Sequence, residues 1–318
     1  MAKLVDALVL GTSIARCGGS SPLPSTMKKP KIIVICGPTA TGKSDYAVDL
    51  ALRLPHSGQA REIAGEIISA DSRQVYRGLD IGSGKITTKE MRGVPHYLLD
   101  VANPKRVFTV SQYKTQTEKA IQKILKKGKT PIIVGGTGFY IDVALGLDLP
   151  EVPPNKTLRK ELGGKTTEEL FTLLQKKDKT RAQTIDKDNK VRLIRALEII
   201  ETLGKVPKQK RVSKYNVEYI YLDFPDEVLK ERIHIRLLKR MKMGMSKEVQ
   251  NLHEQGVSWK RLEELGLEYR FLALYLQKKY GSTSSPQAKA KMLGELEMAI
   301  WHYAKRQRTW FKKYARSI

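Results

Sequence analysis

The chain has 318 residues, of which 41% are hydrophobic, enough for a normal core in one large or two modest domains. No run of 18 or more apolar residues occurs, which excludes a membrane-spanning helix, and the two cysteines, Cys17 and Cys36, exclude a disulfide framework or a zinc site of cysteine pairs. So few cysteines indicate a reducing, cytoplasmic compartment. The formal charge of +25 favours a polyanionic partner over mere solubility, because the cations near the C-terminus are interleaved with aromatic residues.

Residues 1–26 are predicted to be a non-native or disordered extension. Their apolar stretch around Leu8 is short and Asp6 interrupts it, so the segment is a poor signal peptide. Residues 18–22, GGSSP, match one reading frame of a tRNA gene's T-arm, which predicts that Met27 is the true start. N-terminal peptide mass spectrometry of the native protein would contradict this by finding residues 2–26.

An apolar run at 31–36 leads into a phosphate-binding P-loop, followed by a helical pattern at 44–54. In such a loop, glycines let backbone amides surround a phosphate, a lysine adds a point charge, and a hydroxyl can join a Mg²⁺ shell. The helix directs the positive end of its dipole at the same anion. The predicted diphosphate-binding residues here are Gly37, Pro38, Thr39, Ala40, Thr41, Gly42, Lys43 and Ser44, with Ser44 as the metal ligand.

Strand-like runs then alternate with helical periods, which predicts an α/β fold with a P-loop NTPase-like parallel sheet flanked by helices. The predicted strands are 32–36, 66–70, 132–134 and 219–223. The predicted later helices are 226–243, 246–255, 259–279 and 286–315. A change to Pro, Gly and charged amphipathic residues predicts a small helical insertion domain at 148–205, within a catalytic core of 27–147 and 206–318 whose C-terminal region is helical.

Two further loops follow apolar strands and are expected beside the P-loop. Asp71 ends the strand at 66–70, and in P-loop enzymes such a carboxylate either holds Mg²⁺ or acts as a base, a choice that the residues leave open. The stretch 72–85 is predicted to contact substrate because it mixes polar, aromatic and Gly residues. The loop 135–140, GGTGFY, either offers small residues and a hydroxyl to the site or allows a helix to pack closely on a strand.

Six motifs in order resemble the tRNA dimethylallyltransferase family, over about 31–315. They are GPTATGKS, DSRQVYRGLDIGSGK, GVPHYLLD, VGGTGFY, DNKVRLIRALEI and KRQRTWFKK. The resemblance implies transfer of a dimethylallyl group from dimethylallyl diphosphate to the exocyclic amine of the adenine 3′ of the anticodon, in tRNAs reading codons that start with U. It implies Mg²⁺ as cofactor, and we expect a monomer.

The resemblance also implies roles for individual residues. Asp71 would be the general base, Thr137 would contact the acceptor amine or the bridging oxygen of the donor, and Lys43 would act on the leaving diphosphate. Arg236 would bind diphosphate, with Arg232 as second choice. The candidates for tRNA binding are Asp71, Ser72, Arg73, Gln74, Arg159, Arg192, Arg195, Lys305, Arg306, Gln307, Arg308 and Trp310.

The chain departs from the family pattern in two places. Residues 265–270, LGLEYR, stand where members usually have Gly-Tyr followed by Lys or Arg, and the insertion is short, with Gly163 and Gly164 in place of part of a helical arm. Both bear on the tRNA contacts and not on the diphosphate site. The C-terminal zinc finger of eukaryotic relatives is absent from this sequence, as in a bacterial-type enzyme.

Three alternatives share parts of these motifs. A P-loop nucleotide or small-molecule kinase would need an adenine-binding loop and a lid with paired arginines, and it has no use for the 72–85 stretch. An adenylate dimethylallyltransferase would need no strongly basic surface. A non-catalytic RNA-binding NTPase would hydrolyse ATP and needs no Asp71 beside an acceptor site.

Overall fold

The computed structural model describes residues 29–54, 64–208 and 214–315, so the prediction for residues 1–26 lies outside the described residues. The strands are β1 (Lys31–Cys36), β2 (Gly65–Ser69), β3 (His96–Tyr97), β4 (Thr130–Gly135) and β5 (Asn216–Tyr221). The helices are α1 (Lys43–Arg53), α2 (Thr88–Met91), α3 (Val110–Lys126), α4 (Gly138–Ala144), α5 (Lys156–Gly163), α6 (Thr167–Lys177), α7 (Lys179–Ala182), α8 (Lys190–Leu203), α9 (Asp226–Lys242), α10 (Met245–Glu254), α11 (Trp259–Glu264), α12 (Leu267–Leu276) and α13 (Pro286–Ala315). None of these described helices is long and apolar enough to cross a bilayer.

The five strands form one parallel sheet in the order β3-β2-β4-β1-β5. Side chains of β1 alternate between two apolar clusters, with Ile32 and Val34 on one face and Ile33 and Ile35 on the other. A strand buried on both faces needs a continuous apolar run, which is what residues 32–36 supply. The predicted α/β fold is therefore confirmed, and the loops that follow β1, β2 and β4 meet at one edge of the sheet.

The C-terminal region is helical, as predicted, and packs around its own apolar cluster. Tyr269, Leu252 and Met292 bring α12, α10 and α13 together in this cluster. The predicted single helix over 259–279 is wrong, because Gly266 separates α11 from α12. This glycine has φ +138° and ψ −180°, a conformation that a helix interior does not allow and that an L side chain rarely adopts.

Helices α5 to α8 fall within the segment that the sequence assigns to an insertion domain. Leu170, Leu174 and Leu193 belong to an apolar cluster formed by this segment. Among these helices lies a buried carboxylate, Glu198, whose side chain is 1% exposed. It accepts hydrogen bonds from the backbone amide of Asn155 and from two arginines, which joins the start of α5 to α8.

We expect Glu198→Gln to destabilise this helical segment by about 2 kcal/mol, because two arginines lose their buried counter-charge while solvent screens part of the loss. Burial works to raise the pKa of Glu198, but hydrogen bonds from the two arginines outweigh it and lower the pKa to about 2. The stabilisation by the Glu198 carboxylate is thus complete above the pKa of about 4.5 that this group has in the unfolded chain, and it is lost as the pH falls towards 2. Denaturant unfolding of both proteins at pH 7 and pH 3 measures this.

The matched control is Glu201→Gln, which removes an exposed carboxylate of the same helix paired with Lys177. This control should change stability by less than about 0.5 kcal/mol. Equal losses in both variants, or a Glu198 effect that does not shrink at low pH, would show that burial of the Glu198 charge is not what stabilises the segment.

Candidate active site

The P-loop, 37–44, follows β1 and enters α1 at the edge of the sheet where the strands end. Gly37 has φ +144°, and a Cβ at this position would overlap the carbonyl oxygen of Leu222. Gly42 caps α1 with φ +81°. The two ends of the loop therefore require glycine. The amide groups in the first turn of α1 have no partner within the helix, so they are available to an anion held by the loop.

Lys43 lies folded against its own loop. Its Nζ donates to the carbonyl of Pro38 at 2.5 Å and to Oγ1 of Thr41 at 3.3 Å. Withdrawal from water, followed by the neighbouring Arg236, lowers the pKa of Lys43 to about 7, while Asp71 opposes the change. An anion bound here would restore the charged ammonium form.

Two arginines of α9 donate hydrogen bonds to the P-loop. Nε of Arg232 donates to the carbonyl of Ala40 at 2.7 Å, and Nη1 of Arg236 donates to Oγ1 of Thr39 at 3.1 Å. Burial, followed by the adjacent Arg240, lowers the pKa of Arg236 to about 10. The structure thus brings both arginines that the sequence singled out to the phosphate-binding loop.

Asp71 and Thr137 come together from the ends of β2 and β4. Oδ1 of Asp71 accepts the amide hydrogens of Arg73 at 2.7 Å and Gln74 at 3.3 Å. Among the described residues nothing donates to Oδ2. Oγ1 of Thr137 accepts the amide hydrogen of Ser72 at 3.2 Å. The loop after β2 is thereby fixed to the loop after β4, with one carboxylate oxygen and one hydroxyl beside the P-loop.

The loop at 79–85 is held in place by Glu248, which the sequence did not reveal, and by Gln74, which it did. Glu248 accepts the amide hydrogens of residues 80, 81 and 82 and the hydroxyl of Tyr269. Nε2 of Gln74 donates to the carbonyl of Gly84 at 3.3 Å. A carboxylate that caps three consecutive amides makes this loop a defined wall of the site.

Helix α13 directs one face into the site. Gln307, which is 5% exposed, accepts the amide hydrogen of Thr39 at 2.8 Å and donates to the carbonyl of Gly136 at 2.8 Å. One turn earlier lies Tyr303, and burial together with nearby Asp71 raises the pKa of this tyrosine to about 12. Tyr303 was not singled out in the sequence, since nothing in its local pattern distinguishes it from a core tyrosine.

The remaining C-terminal candidates have different surroundings. Arg308 forms ion pairs with Asp223 and Asp226 and donates to the carbonyl of Phe224. Trp310 lies over Gly138, where a Cβ would overlap its ring, and it is 36% exposed. Lys305 and Arg306 are exposed on the surface of the helix.

The candidates in the insertion segment also differ in their contacts. Arg159 and Arg195 both bind Glu198, Arg159 through two hydrogen bonds of 2.9 Å. Arg192 is exposed and lies 3.9 Å from Asp186. Intramolecular contacts therefore occupy Arg159 and Arg195, whereas Arg192 faces solvent.

The described residues contain no group of three or more His, Cys, Asp or Glu side chains arranged to hold a metal. Mg²⁺ at P-loops uses one or two protein oxygens together with phosphate oxygens and water, so a cage of carboxylates is not required. Ser44, partly exposed in the first turn of α1, offers such a hydroxyl.

A P-loop on a parallel sheet, with an aspartate and a threonine hydroxyl facing it, defines a P-loop α/β protein with an anion site beside a potential proton acceptor. The sequence profile described as IPP transferase matches residues 74–314. The chain belongs to this family.

Several relatives are similar over most of their length. The chain is 41% identical over 295 residues to tRNA dimethylallyltransferase 2 of Treponema denticola, covering 91% of this chain and 94% of that protein. It is 38% identical to tRNA dimethylallyltransferase 2 of Shewanella sediminis, covering 90% of each. The crystal structure of the tRNA isopentenylpyrophosphate transferase of Bacillus halodurans aligns with a TM-score of 0.63 at 33% identity, over 90% of this chain and 87% of that one.

A eukaryotic dimethylallyltransferase, whose structure was determined acting on tRNA, shares the fold. It aligns with a TM-score of 0.72 over 89% of this chain and 70% of that one, at 24% identity. The family relationship and the fold thus agree with the motif order seen in the sequence.

Proposed function

We propose that this protein is a tRNA dimethylallyltransferase, which transfers a dimethylallyl group from dimethylallyl diphosphate to the exocyclic amine of the adenine 3′ of the anticodon, in tRNAs reading codons that start with U. The observation that carries the proposal is the placement of Asp71 and Thr137 beside a P-loop in a member of the IPP transferase family. The names of its relatives support the reaction and the tRNA substrate.

The reaction breaks the bond between C1 of the allyl group and the diphosphate oxygen, and forms a bond from C1 to the adenine N6. The electron pair of the broken bond leaves with the diphosphate, and N6 must lose a proton. We assign this proton to Asp71, whose Oδ2 has no donor among the described residues, while Oδ1 remains held by two backbone amides. Thr137 would bind the amine or the bridging oxygen.

The P-loop amides, Lys43 and Arg236 are proposed to hold the diphosphate, with Arg232 supporting the loop. Fixed cations beside the leaving group favour its departure because they stabilise charge that develops in the transition state. Mg²⁺, bound through Ser44 and phosphate oxygens, would neutralise further charge on the leaving group.

On the RNA side, reading one base of a loop requires that base to be extruded while basic groups hold the backbone. We propose that the residues with exposed or partly exposed side chains contact the RNA, namely Ser72, Arg73, Gln74, Arg192, Lys305, Arg306 and Trp310. Arg159, Arg195 and Arg308 are also exposed or partly exposed, but carboxylates hold them, so we propose that they keep these contacts in place. Gln307 is buried against Thr39 and Gly136, so we propose that it supports the P-loop and not the RNA.

Gln307→Ala should raise the KM for dimethylallyl diphosphate about tenfold while leaving tRNA affinity unchanged. The substitution removes two hydrogen bonds that fix the P-loop amide of Thr39 to Gly136, each worth about 1 kcal/mol. Steady-state kinetics and tRNA filter binding measure the two effects. Gln287→Ala, an exposed glutamine of the same helix, is the control. A loss of tRNA affinity with an unchanged donor KM would make Gln307 an RNA contact.

The function is tested by incubating the purified chain from Met27 with Mg²⁺, dimethylallyl diphosphate and an unmodified tRNA that carries adenine at the target position. Nucleoside mass spectrometry should show one added dimethylallyl group on that adenine. A gain on free AMP alone would establish an adenylate dimethylallyltransferase. Failure with both acceptors, together with ATP turnover, would favour a kinase or a non-catalytic NTPase.

We further propose that the protein acts as a monomer in the cytoplasm. One chain supplies the P-loop, Asp71 and Thr137 to the same site, so no second copy is needed to complete it. Light scattering should give the mass of one chain at the concentrations used for the assay.

A further inference from the structure

Helix α9 carries three arginines one turn apart, Arg232, Arg236 and Arg240. Residues four apart lie on one helix face about 6 Å from each other along the axis. The first two reach Ala40 and Thr39 in the P-loop, whereas Nη1 of Arg240 reaches the carbonyl of Gly82 at 3.3 Å. The row of charges therefore continues beyond the P-loop to the 79–85 loop.

The second and third arginines of this row meet beside Gly84. A Cβ on Gly84 would overlap Nη2 of both Arg236 and Arg240, so the two guanidinium groups approach the same point. Arg240 is a buried residue, 8% exposed. Two like charges held together away from water are unfavourable unless an anion neutralises them.

Glu268 supplies the counter-charge in this structure. Its Oε1 accepts from Nη1 of Arg240 at 3.1 Å, and the side chains of the pair are 21% and 10% exposed. Among the described residues it is the carboxylate that pairs with Arg240, and none forms an ion pair with Arg236. Glu268 lies in 265–270, the segment where the chain departs from the family pattern. One carboxylate thus pairs with the buried guanidinium of Arg240, while the partly buried guanidinium of Arg236 beside it has no ion-pair partner among the described residues.

We propose that Arg240 is a third diphosphate-binding arginine in this chain and that Glu268 is the counter-ion that the diphosphate displaces from it. This rests on the proposed function, because it extends the site of the same donor. Rotation of Arg240 from Glu268 towards the P-loop would place a second guanidinium beside Arg236 on the leaving group. A bound diphosphate carries enough charge to neutralise both arginines, which a single carboxylate does not.

The competing explanation is that the pair of Arg240 and Glu268 only holds the 79–85 loop, through the contact with Gly82. The two explanations predict opposite changes in diphosphate affinity when Glu268 loses its charge. If Glu268 competes with the diphosphate, removing its charge strengthens binding, whereas a purely structural pair gives weaker binding whichever partner is changed.

The test is calorimetric titration of the full chain with inorganic diphosphate in the presence of Mg²⁺. Arg240→Gln should weaken binding about tenfold, and Glu268→Gln should tighten it about threefold. Lys242→Gln removes an exposed cation from the same helix and should leave the affinity unchanged. If Glu268→Gln folds poorly, Glu268→Asp takes its place. This variant keeps the charge but shortens its reach to Arg240, so it should also tighten diphosphate binding.

Opposite signs for the Arg240 and Glu268 variants would support the proposal. Unchanged affinity in Arg240→Gln, or weaker binding in every variant of the pair, would overturn it. Dimethylallyl transfer by the unsubstituted chain is measured in the same preparation, so failure of the proposed function would show there, whichever way diphosphate binding responds.

Discussion

Replacing Asp71 by asparagine is expected to lower kcat for dimethylallyl transfer by about 10²- to 10⁴-fold, the range over which a general base accelerates a reaction. Asparagine retains an oxygen that can accept the amide hydrogens of Arg73 and Gln74, so the loop after β2 should keep its structure. It has no basic oxygen to take the proton from the adenine amine. The chemical step should therefore fail while tRNA and donor still bind.

Single-turnover kinetics with prebound tRNA separates the chemical step from binding, and dissociation constants for tRNA and diphosphate should change less than about threefold. Asp148→Asn is the control because its carboxylate is 71% exposed. Near-normal turnover in Asp71→Asn would remove Asp71 from the role of base. A loss of tRNA affinity that accounts for the whole rate change would make it an RNA contact instead.

The parts of the fold and site that the sequence could predict are those encoded by neighbouring residues. The P-loop needs glycine at both ends for local backbone reasons, and β1 needs a continuous apolar run because helices cover both faces of the sheet. Parallel strands then bring Asp71 and Thr137 to the same edge as the P-loop. Periodicity and loop chemistry suffice for this much.

Long-range contacts could not be predicted in this way. The basic sequence around Gln307 and Arg308 is typical of an RNA-binding segment, yet Gln307 contacts Thr39, 268 residues away in sequence. Arg308 pairs with Asp223. The helical pattern over 259–279 hid the break at Gly266, since an isolated glycine is compatible with helical periodicity and only the backbone angle reveals the turn.

The departure at 265–270 also acquires a physical explanation. Glu268 pairs with Arg240, and Gly266 leaves room for the side chain of Arg73, which lies 3.3 Å from where a Cβ would be. Residues that depart from the family pattern thus pair with Arg240 and lie against Arg73. In the role proposed for Glu268, its charge acts on the diphosphate of the donor.

Lys43→Met should lower kcat/KM for dimethylallyl diphosphate by about 10²-fold at pH 7 or below, with the loss shrinking as the pH rises above 7. Methionine keeps the length of the side chain but brings no charge to the leaving group. Burial and Arg236 lower the pKa of Lys43 to about 7, so the free enzyme loses the ammonium charge above this pH and becomes more like the variant. A pH profile of kcat/KM for both proteins measures the effect.

Proton uptake provides an independent measurement of the same charge. Bound diphosphate favours the ammonium form, so at pH 8 the unsubstituted chain should take up more protons on binding diphosphate than Lys43→Met does. Calorimetry in two buffers of different ionisation enthalpy gives the number of protons, and the diphosphate's own protonation contributes to both proteins. Lys89→Met, an exposed lysine on α2, should behave like the unsubstituted chain. Equal proton uptake by the Lys43 variant would mean that Lys43 is already charged before diphosphate binds. The pH dependence would then have its origin in another group.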